Sequence, residues 1–279
     1  MLKNRKTFNQ LACGILLLSL VMGACTNPSN VRENSVPERN VPSPHLIRYS
    51  VVDKITHDTT AFTQGLVVYN GDLLEGTGQQ KRTLIRTIDT LTGKAKTLYS
   101  TYRNDIFGEG ITVLGEKLYQ LTYQNHVVYV FDIKNFSEFE KTFTWQREGW
   151  GCTTDSTSII LSDGTASLFF VNPNSFNVER EITVVDDKGP VVDLNELEYI
   201  DGYVYANRWH SDTIYKIDPH TGHVVGLMHI DGLIQRYKPD FIDTGENVLN
   251  GIAWDQRNKT LFITGKNWPT IFKIKFTPM

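Results

Sequence analysis

Five stretches of this chain read as copies of one another, and that repetition constrains its fold more than any other feature. They open at Gly65 (GLVVYNGDLLEGTG), Gly110 (GITVLGEKLYQLTY), Gly151 (GCTTDSTSIILSDG), Glu196 (ELEYIDGYVYANRW) and Gly251 (GIAWDQRNKTLFITGK). Each is a short strand, a tight polar turn and an apolar strand. Their spacing of roughly 40–55 residues belongs to propeller blades or solenoid repeats. A third strand follows in every copy, at 83–89, 127–132, 167–172, 213–218 and 270–275. Fourth strands are legible as KAKTLYS, EFEKTFTW, VEREITV and HVVGLMHI. An Asp-x-x-Thr-Gly turn joins third strand to fourth twice, at Asp89–Gly93 and Asp218–Gly222.

The fifth copy stops after its third strand, while HLIRYSVVDKI (45–55) precedes the first copy and has no partner of its own. No stretch sustains a helical period. The chain is therefore expected to be all-β, a five-bladed β-propeller with the N-terminal strand closing the last blade, so that no sheet edge is left open. A single repeat cannot bury its own faces, which makes 45–279 one domain.

Ahead of that domain, Lys3, Arg5 and Lys6 precede an apolar run from Leu11 to Met22, followed by Gly23, Ala24 and Cys25. About a dozen apolar residues are too few to span a bilayer, and the order is that of a signal peptide. Its end resembles a bacterial lipoprotein box, which implies cleavage before Cys25 and a lipid on that thiol. Residues 1–25 are thus expected to be a leader, and the Pro-, Asn- and Ser-rich residues 26–44 a flexible tether. The location this implies is the bacterial cell envelope, with the domain anchored to a membrane through Cys25 and facing the periplasm or the exterior. Only Cys152 is left in the folded domain, as a buried thiol without a disulfide partner. A formal net charge of −3 supplies no field for nucleic acid. A monomer is expected.

Superposing the copies puts Gln64, Glu109, Trp150, Asn195 and Asn250 immediately before the five opening residues. The innermost strand of a propeller blade lines the central channel, so these side chains form a ring at one mouth. The second strand runs back to the same mouth and ends at Gly78, Tyr123, Gly164, Trp209 and Lys266. A carboxylate, an ammonium, amides and aromatics therefore converge, which is the make-up of a ligand pocket. Taken alone, such a ring also fits channel water or a non-catalytic binding propeller at the cell surface. It fits a hard cation such as Ca²⁺ as well, held by oxygens of Glu109, Asn195, Asn250 and Gln64 as in metal-dependent propeller hydrolases. His220 and His223 have an H-x-x-H spacing, but they sit in a turn away from the mouth and lack a third zinc ligand.

The segments AFTQGL (61–66), FGEGIT (107–112), EGWG (148–151), LNELEYI (194–200), Asn207–Trp209, VLNGIA (248–253) and TGKNWP (264–269) carry a more specific signal. Together and in this order they resemble the plant-type glutaminyl-peptide cyclotransferases, a family of five-bladed propellers. The similarity runs from about residue 47 to 276. It implies conversion of N-terminal glutaminyl residues of peptides or proteins to pyroglutamyl, with loss of ammonia and without a metal. It also implies Glu109 as the catalytic, proton-shuttling carboxylate and Lys266 as the stabiliser of charge on the reacting oxygen. Gln64 and Asn195 become substrate-binding amides, and Trp150 and Trp209 aromatic walls. Tyr123 stands where the family has tryptophan, and Asn250 joins the substrate-binding group through its ring position. No cofactor is required for catalysis, and a structural Ca²⁺ in the central channel is compatible with the pattern. GTGQQKRT replaces the family's usual Gly-Ser turn after the first blade's second strand. The loops 184–194 and 231–249 are longer than their counterparts and long enough to cover the mouth.

Overall fold

The repeats become sheets with two faces to bury, because successive side chains of a strand point to opposite faces and adjacent residues are apolar. The computed structural model of the chain describes residues 41–277, except 102 and 243. The leader 1–25, the anchor residue Cys25 and most of the 26–44 tether lie outside the described residues. No helix among the described residues is long and apolar enough to cross a membrane.

Five antiparallel blades follow in chain order. Blade 1 is Thr63–Tyr69, Asp72–Thr77, Thr83–Ile88 and Ala95–Thr101. Blade 2 is Gly108–Leu114, Lys117–Thr122, Val127–Asp132 and Lys141–Thr144. Blade 3 is Cys152–Thr154, Ile159–Ser162, Ser167–Val171 and Val178–Thr183. Blade 4 is Leu194–Ile200, Tyr203–Arg208, Thr213–Ile217 and Val224–His229. Blade 5 takes Leu249–Asp255, Thr260–Gly265 and Thr270–Phe276 from the end of the chain. Its outer strand is Tyr49–Thr56, paired antiparallel so that Tyr49 faces Phe276 and Thr56 faces Thr270. The ring therefore closes as the repeat pattern requires.

The stretch 45–55 does not stay in one sheet, however. His45–Leu46 runs parallel to Val224–His229 on the outside of blade 4, and the Ile47 N–H donates to Leu227 O at 2.8 Å. Two neighbouring blades each present an outer edge with unpaired backbone groups, and the incoming chain satisfies both in turn.

The cores lie between blades. Leu73 belongs to the cluster that blade 1 shares with Phe262 and Ile271 of blade 5, whereas adjacent Leu74 joins Ile111 and Phe131 of blade 2. Ile159 and Ile160 divide in the same way between blades 2 and 4. Cys152 sits in the cluster between blades 2 and 3, where burial pushes its thiol pKa well up.

Around the channel the inner strands come close enough for their backbones to touch. The Gly110 N–H donates to Trp150 O at 2.8 Å, and a Cβ on Gly110 would meet that oxygen at 2.6 Å. Blade 4 carries Glu196 where the other copies carry glycine. Its fully buried carboxylate accepts from the Leu66 N–H of blade 1 at 3.1 Å and the Ile252 N–H of blade 5 at 2.8 Å. Glu198, two residues on, accepts from the Trp254 N–H at 2.7 Å, and burial pushes its pKa up to about 8. Blade 4 is thus fastened across the channel to blades 1 and 5 by carboxylates, while its backbone packs closely on Gly151 of blade 3.

Candidate active site

At one mouth of the channel the innermost strands lose their regular register. Pairing slips between Thr63 and Gly65, Gly108 and Ile111, Leu194 and Leu197, and Leu249 and Ile252. The slips bracket Gln64, Glu109, Asn195 and Asn250. A bulge frees a residue from the ladder and re-aims its side chain, which is why these polar groups leave the apolar alternation of their strands.

A second recurring device fixes what faces them. In four of the five blades the backbone N–H at the end of the second strand donates to the carbonyl two residues before the ring position. Gly78 bonds Phe62 O (2.8 Å), Tyr123 bonds Phe107 O (3.0 Å), Trp209 bonds Asp193 O (2.8 Å) and Lys266 bonds Val248 O (2.9 Å). The ends of the second strands are thereby held beside the ring positions, and those of blades 2, 4 and 5 bring Tyr123, Trp209 and Lys266 to the pocket.

The resulting pocket has a volume of about 200 Å³ and is lined by Gln64, Glu109, Asn195 and Lys266 among the aromatics Phe62, Phe107, Tyr123, Trp150 and Trp209, with Glu246 completing it. The polar groups form its floor: Glu109 is 5% exposed and Lys266 6%. The aromatic walls are organised by edge-to-face contacts, Trp150 with Trp209 at 5.7 Å and Phe62 with Phe107 at 6.1 Å. Trp150 is further held by its Nε1, which donates to Glu148 Oε2 at 3.0 Å. Trp209 stands highest, 40% exposed.

Burial pushes the Glu109 carboxyl well above the usual carboxylate range; the Lys266 ammonium pulls it back and Glu148 pushes it further up. Burial likewise lowers the Lys266 pKa, opposed by Glu109 and Glu246. The two floor groups make no direct ion pair with each other. Lys266 instead lies over the Phe62 ring, 4.6 Å from its centroid. A carboxyl and an amine are thus buried at the floor of one pocket, each shifted toward its neutral form, with room between the walls for a small group.

Comparison with known proteins places this arrangement. The family model for glutamine cyclotransferase matches residues 16–276. The chain is 38% identical to an Arabidopsis thaliana glutaminyl-peptide cyclotransferase over 229 residues, covering 81% of this chain and 70% of the plant protein. The crystal structure of Myxococcus xanthus glutaminyl cyclase superposes with a TM-score of 0.76 at 34% identity, covering 84% of this chain and 98% of that one. The chain belongs to the glutamine cyclotransferase family.

Of the residues that sequence reasoning placed at this mouth, Gln64, Glu109, Tyr123, Trp150, Asn195, Trp209 and Lys266 all line the pocket of this family member. Asn250 does not. It is fully buried beneath the floor, and its Nδ2 donates to Thr63 O at 2.9 Å and Gln64 Oε1 at 3.2 Å. Its place is to hold Gln64 and the Thr63 carbonyl from below. Of the ring oxygens, Gln64 Oε1 accepts from Asn250, whereas Asn195 Oδ1 and Asn250 Oδ1 have no partner among the described residues. Among the described residues no three His, Cys, Asp or Glu side chains converge on a metal-sized site.

Phe62 and Phe107 were not singled out from sequence, although each lies two positions before a ring residue and shares its side of the strand. Glu148 stands in the same relation to Trp150. Glu246 had no such signal, because it reaches the pocket from the irregular loop 231–249.

Proposed function

We propose that this enzyme is a glutaminyl-peptide cyclotransferase that works without a metal, with Glu109 moving the proton. The observation that carries the reading is Glu109 itself: a buried carboxyl raised above its ordinary pKa, without a hydrogen-bond partner among the described residues, between aromatic walls and beside Lys266. The α-amine of an N-terminal glutamine attacks the carbon of its own γ-carboxamide. A C–N bond closes the five-membered ring, the C–NH₂ bond breaks, and ammonia leaves.

Closing that ring requires one bent conformer, which walls such as Trp150 and Trp209 favour by excluding extended ones. As the amine attacks it must lose a proton, and the departing NH₂ must gain one. A single carboxylate between the two nitrogens does both in sequence, and a pKa displaced toward neutrality suits it to each half of the transfer. Negative charge that gathers on the amide oxygen is stabilised by Lys266. Gln64, held by Asn250, and Asn195 supply amide groups to orient the reacting residue. Asn195 Oδ1 is buried without a partner in the protein, which leaves it for a donor on the substrate.

The test is ammonia release from a short Gln-initiated peptide, with and without chelator. Wild type should turn over equally in both. Glu109→Gln should lower kcat by roughly 10²–10⁴, and Lys266→Ala by about 10²–10³, with unfolding midpoints near wild type. A wild type silent on every Gln-initiated peptide sinks the activity; a fully active Glu109→Gln sinks the proton shuttle alone.

A further inference from the structure

The rim of the pocket carries a carboxylate that no cation among the described residues pairs directly, its one electrostatic coupling there being to Lys266 on the floor below. Glu246 lines the cavity and is exposed, whereas Gln64, Glu109, Asn195 and Lys266 are buried below it. Among the described residues its carboxylate has neither a hydrogen bond nor an ion pair. The residue is nonetheless held in place. Its neighbour Asn247 is fastened to the turn that bears Lys266, through Asn267 Nδ2 donating to Asn247 Oδ1 at 2.9 Å and Trp268 Nε1 donating to Asn247 O at 2.7 Å. Asn247 Nδ2 also donates to Ile242 O at 3.1 Å, which ties the loop to itself.

The surrounding charge reinforces it. Glu148 sits under Trp150 with its oxygens bonded to Trp150 Nε1 and Gln124 Nε2, and its field reaches Glu109. Lys266 is the one cation among the pocket's lining residues, and it lies on the floor. The opening therefore presents negative potential to whatever leaves the pocket, and a fixed charge beside an apolar cleft acts on a ligand more strongly than one in open solvent.

A peptide whose first residue fills the floor must carry its next residues out past this rim. We infer that Glu246 is a specificity-determining residue that reads the side chain after the N-terminal glutamine and favours a cationic one, lysine or arginine, over an anionic one; this rests on the cyclisation proposed above. The charge meets its partner in partly open water, so the preference is modest, roughly fivefold at low ionic strength, and is screened by salt.

The experiment compares kcat/KM for Gln-Lys-Ala, Gln-Ala-Ala and Gln-Glu-Ala, in wild type, Glu246→Gln and Glu246→Lys, at low and high NaCl. Wild type should rank them Lys over Ala over Glu, with the spread shrinking in salt. Glu246→Gln should bring the Lys-to-Glu ratio toward one, and Glu246→Lys should invert it. The side chain is exposed, so both variants should fold; Glu246→Ala serves as a second neutral replacement if one does not. A ratio unchanged in the variants overturns the inference. So does an equal slowing of all three peptides, which would reduce Glu246 to a support for the charge on Lys266. Failure of the underlying activity looks different: wild type then releases no ammonia from any of the three.

Discussion

Glu109 and Lys266 are shifted toward each other because burial in the same floor disfavours the charged form of both. The consequence is a narrowed pH window. The Glu109 carboxylate, needed to accept the first proton, is available only above a raised pKa, so the acid limb of kcat/KM should lie well above the ordinary carboxylate value. The Lys266 ammonium, needed by the oxyanion, is lost above a lowered pKa, so the alkaline limb should fall below the ordinary lysine value. Lys266→Arg tests the second half: guanidinium stays charged, and the alkaline limb should recede to higher pH even if the maximal rate drops. An unmoved limb in that variant would remove Lys266 from the ionisations that govern the rate. The place of Glu109 was legible in sequence because it breaks the apolar alternation of its strand at a position that five repeats share. The role of Asn250 was not, since a ring position does not say whether an amide faces the cavity or its neighbour. Only the hydrogen bonds to Thr63 and Gln64 decide that.

At the scale of elements, the site depends on what the second strands omit as much as on what they supply. Two of their terminal positions are glycine. At Gly164 the backbone is left-handed, with φ of 79°, and an added Cβ would meet Trp150 Cζ2 at 2.7 Å. Gly164→Ala should therefore displace the Trp150 indole and lower kcat/KM, by roughly tenfold for a misplaced wall, while the strained backbone costs about 1 kcal/mol of stability. Gly115→Ala is the control: its φ of 63° is equally left-handed, but nothing lies within 4 Å of the new methyl. It should lose similar stability and no activity. Steady-state kinetics and indole fluorescence distinguish the two, and parallel kinetic behaviour in both variants would show that the space beside Trp150 is not needed. The strands themselves were readable from the repeats to within a residue or two. The fourth strand of blade 2 is the exception, beginning only at Lys141 because no apolar alternation precedes it.

The described domain is a ring of five interblade cores closed by its strand Tyr49–Thr56, so its two ends are unequal in importance. Of the described domain, a chain beginning at residue 48 loses the two-residue strand on the outside of blade 4 together with Ile47, its bond to Leu227 and its packing, and should unfold cooperatively a few degrees below the full domain. A chain beginning at residue 57 also loses Tyr49–Thr56, and with it the partner of Thr270–Phe276 and the buried Ile55 of the cluster between blades 5 and 1. That chain should show no cooperative thermal transition by circular dichroism, because opening one blade exposes a sheet edge and two core faces together. Cooperative unfolding at the same temperature in both would mean that closure is not what holds the ring.

By itself the sequence determined that the chain is a five-bladed propeller and pointed to ten equivalent positions around its mouth, seven of which line the pocket, because repeats that cannot bury their own faces must stack, and stacking brings equivalent positions together. The family motifs at those positions added a chemistry. The tertiary structure decided what no repeat encodes: that 45–55 divides between two blades, that Glu196 reaches across the channel where the other copies have glycine, that Asn250 lies under the floor, and that Glu246 stands on the rim. Each of these depends on atoms from different blades or from an irregular loop arriving at one point. Hydrogen bonds and packing settle such meetings only after the ring has closed, and no local pattern in the chain records them.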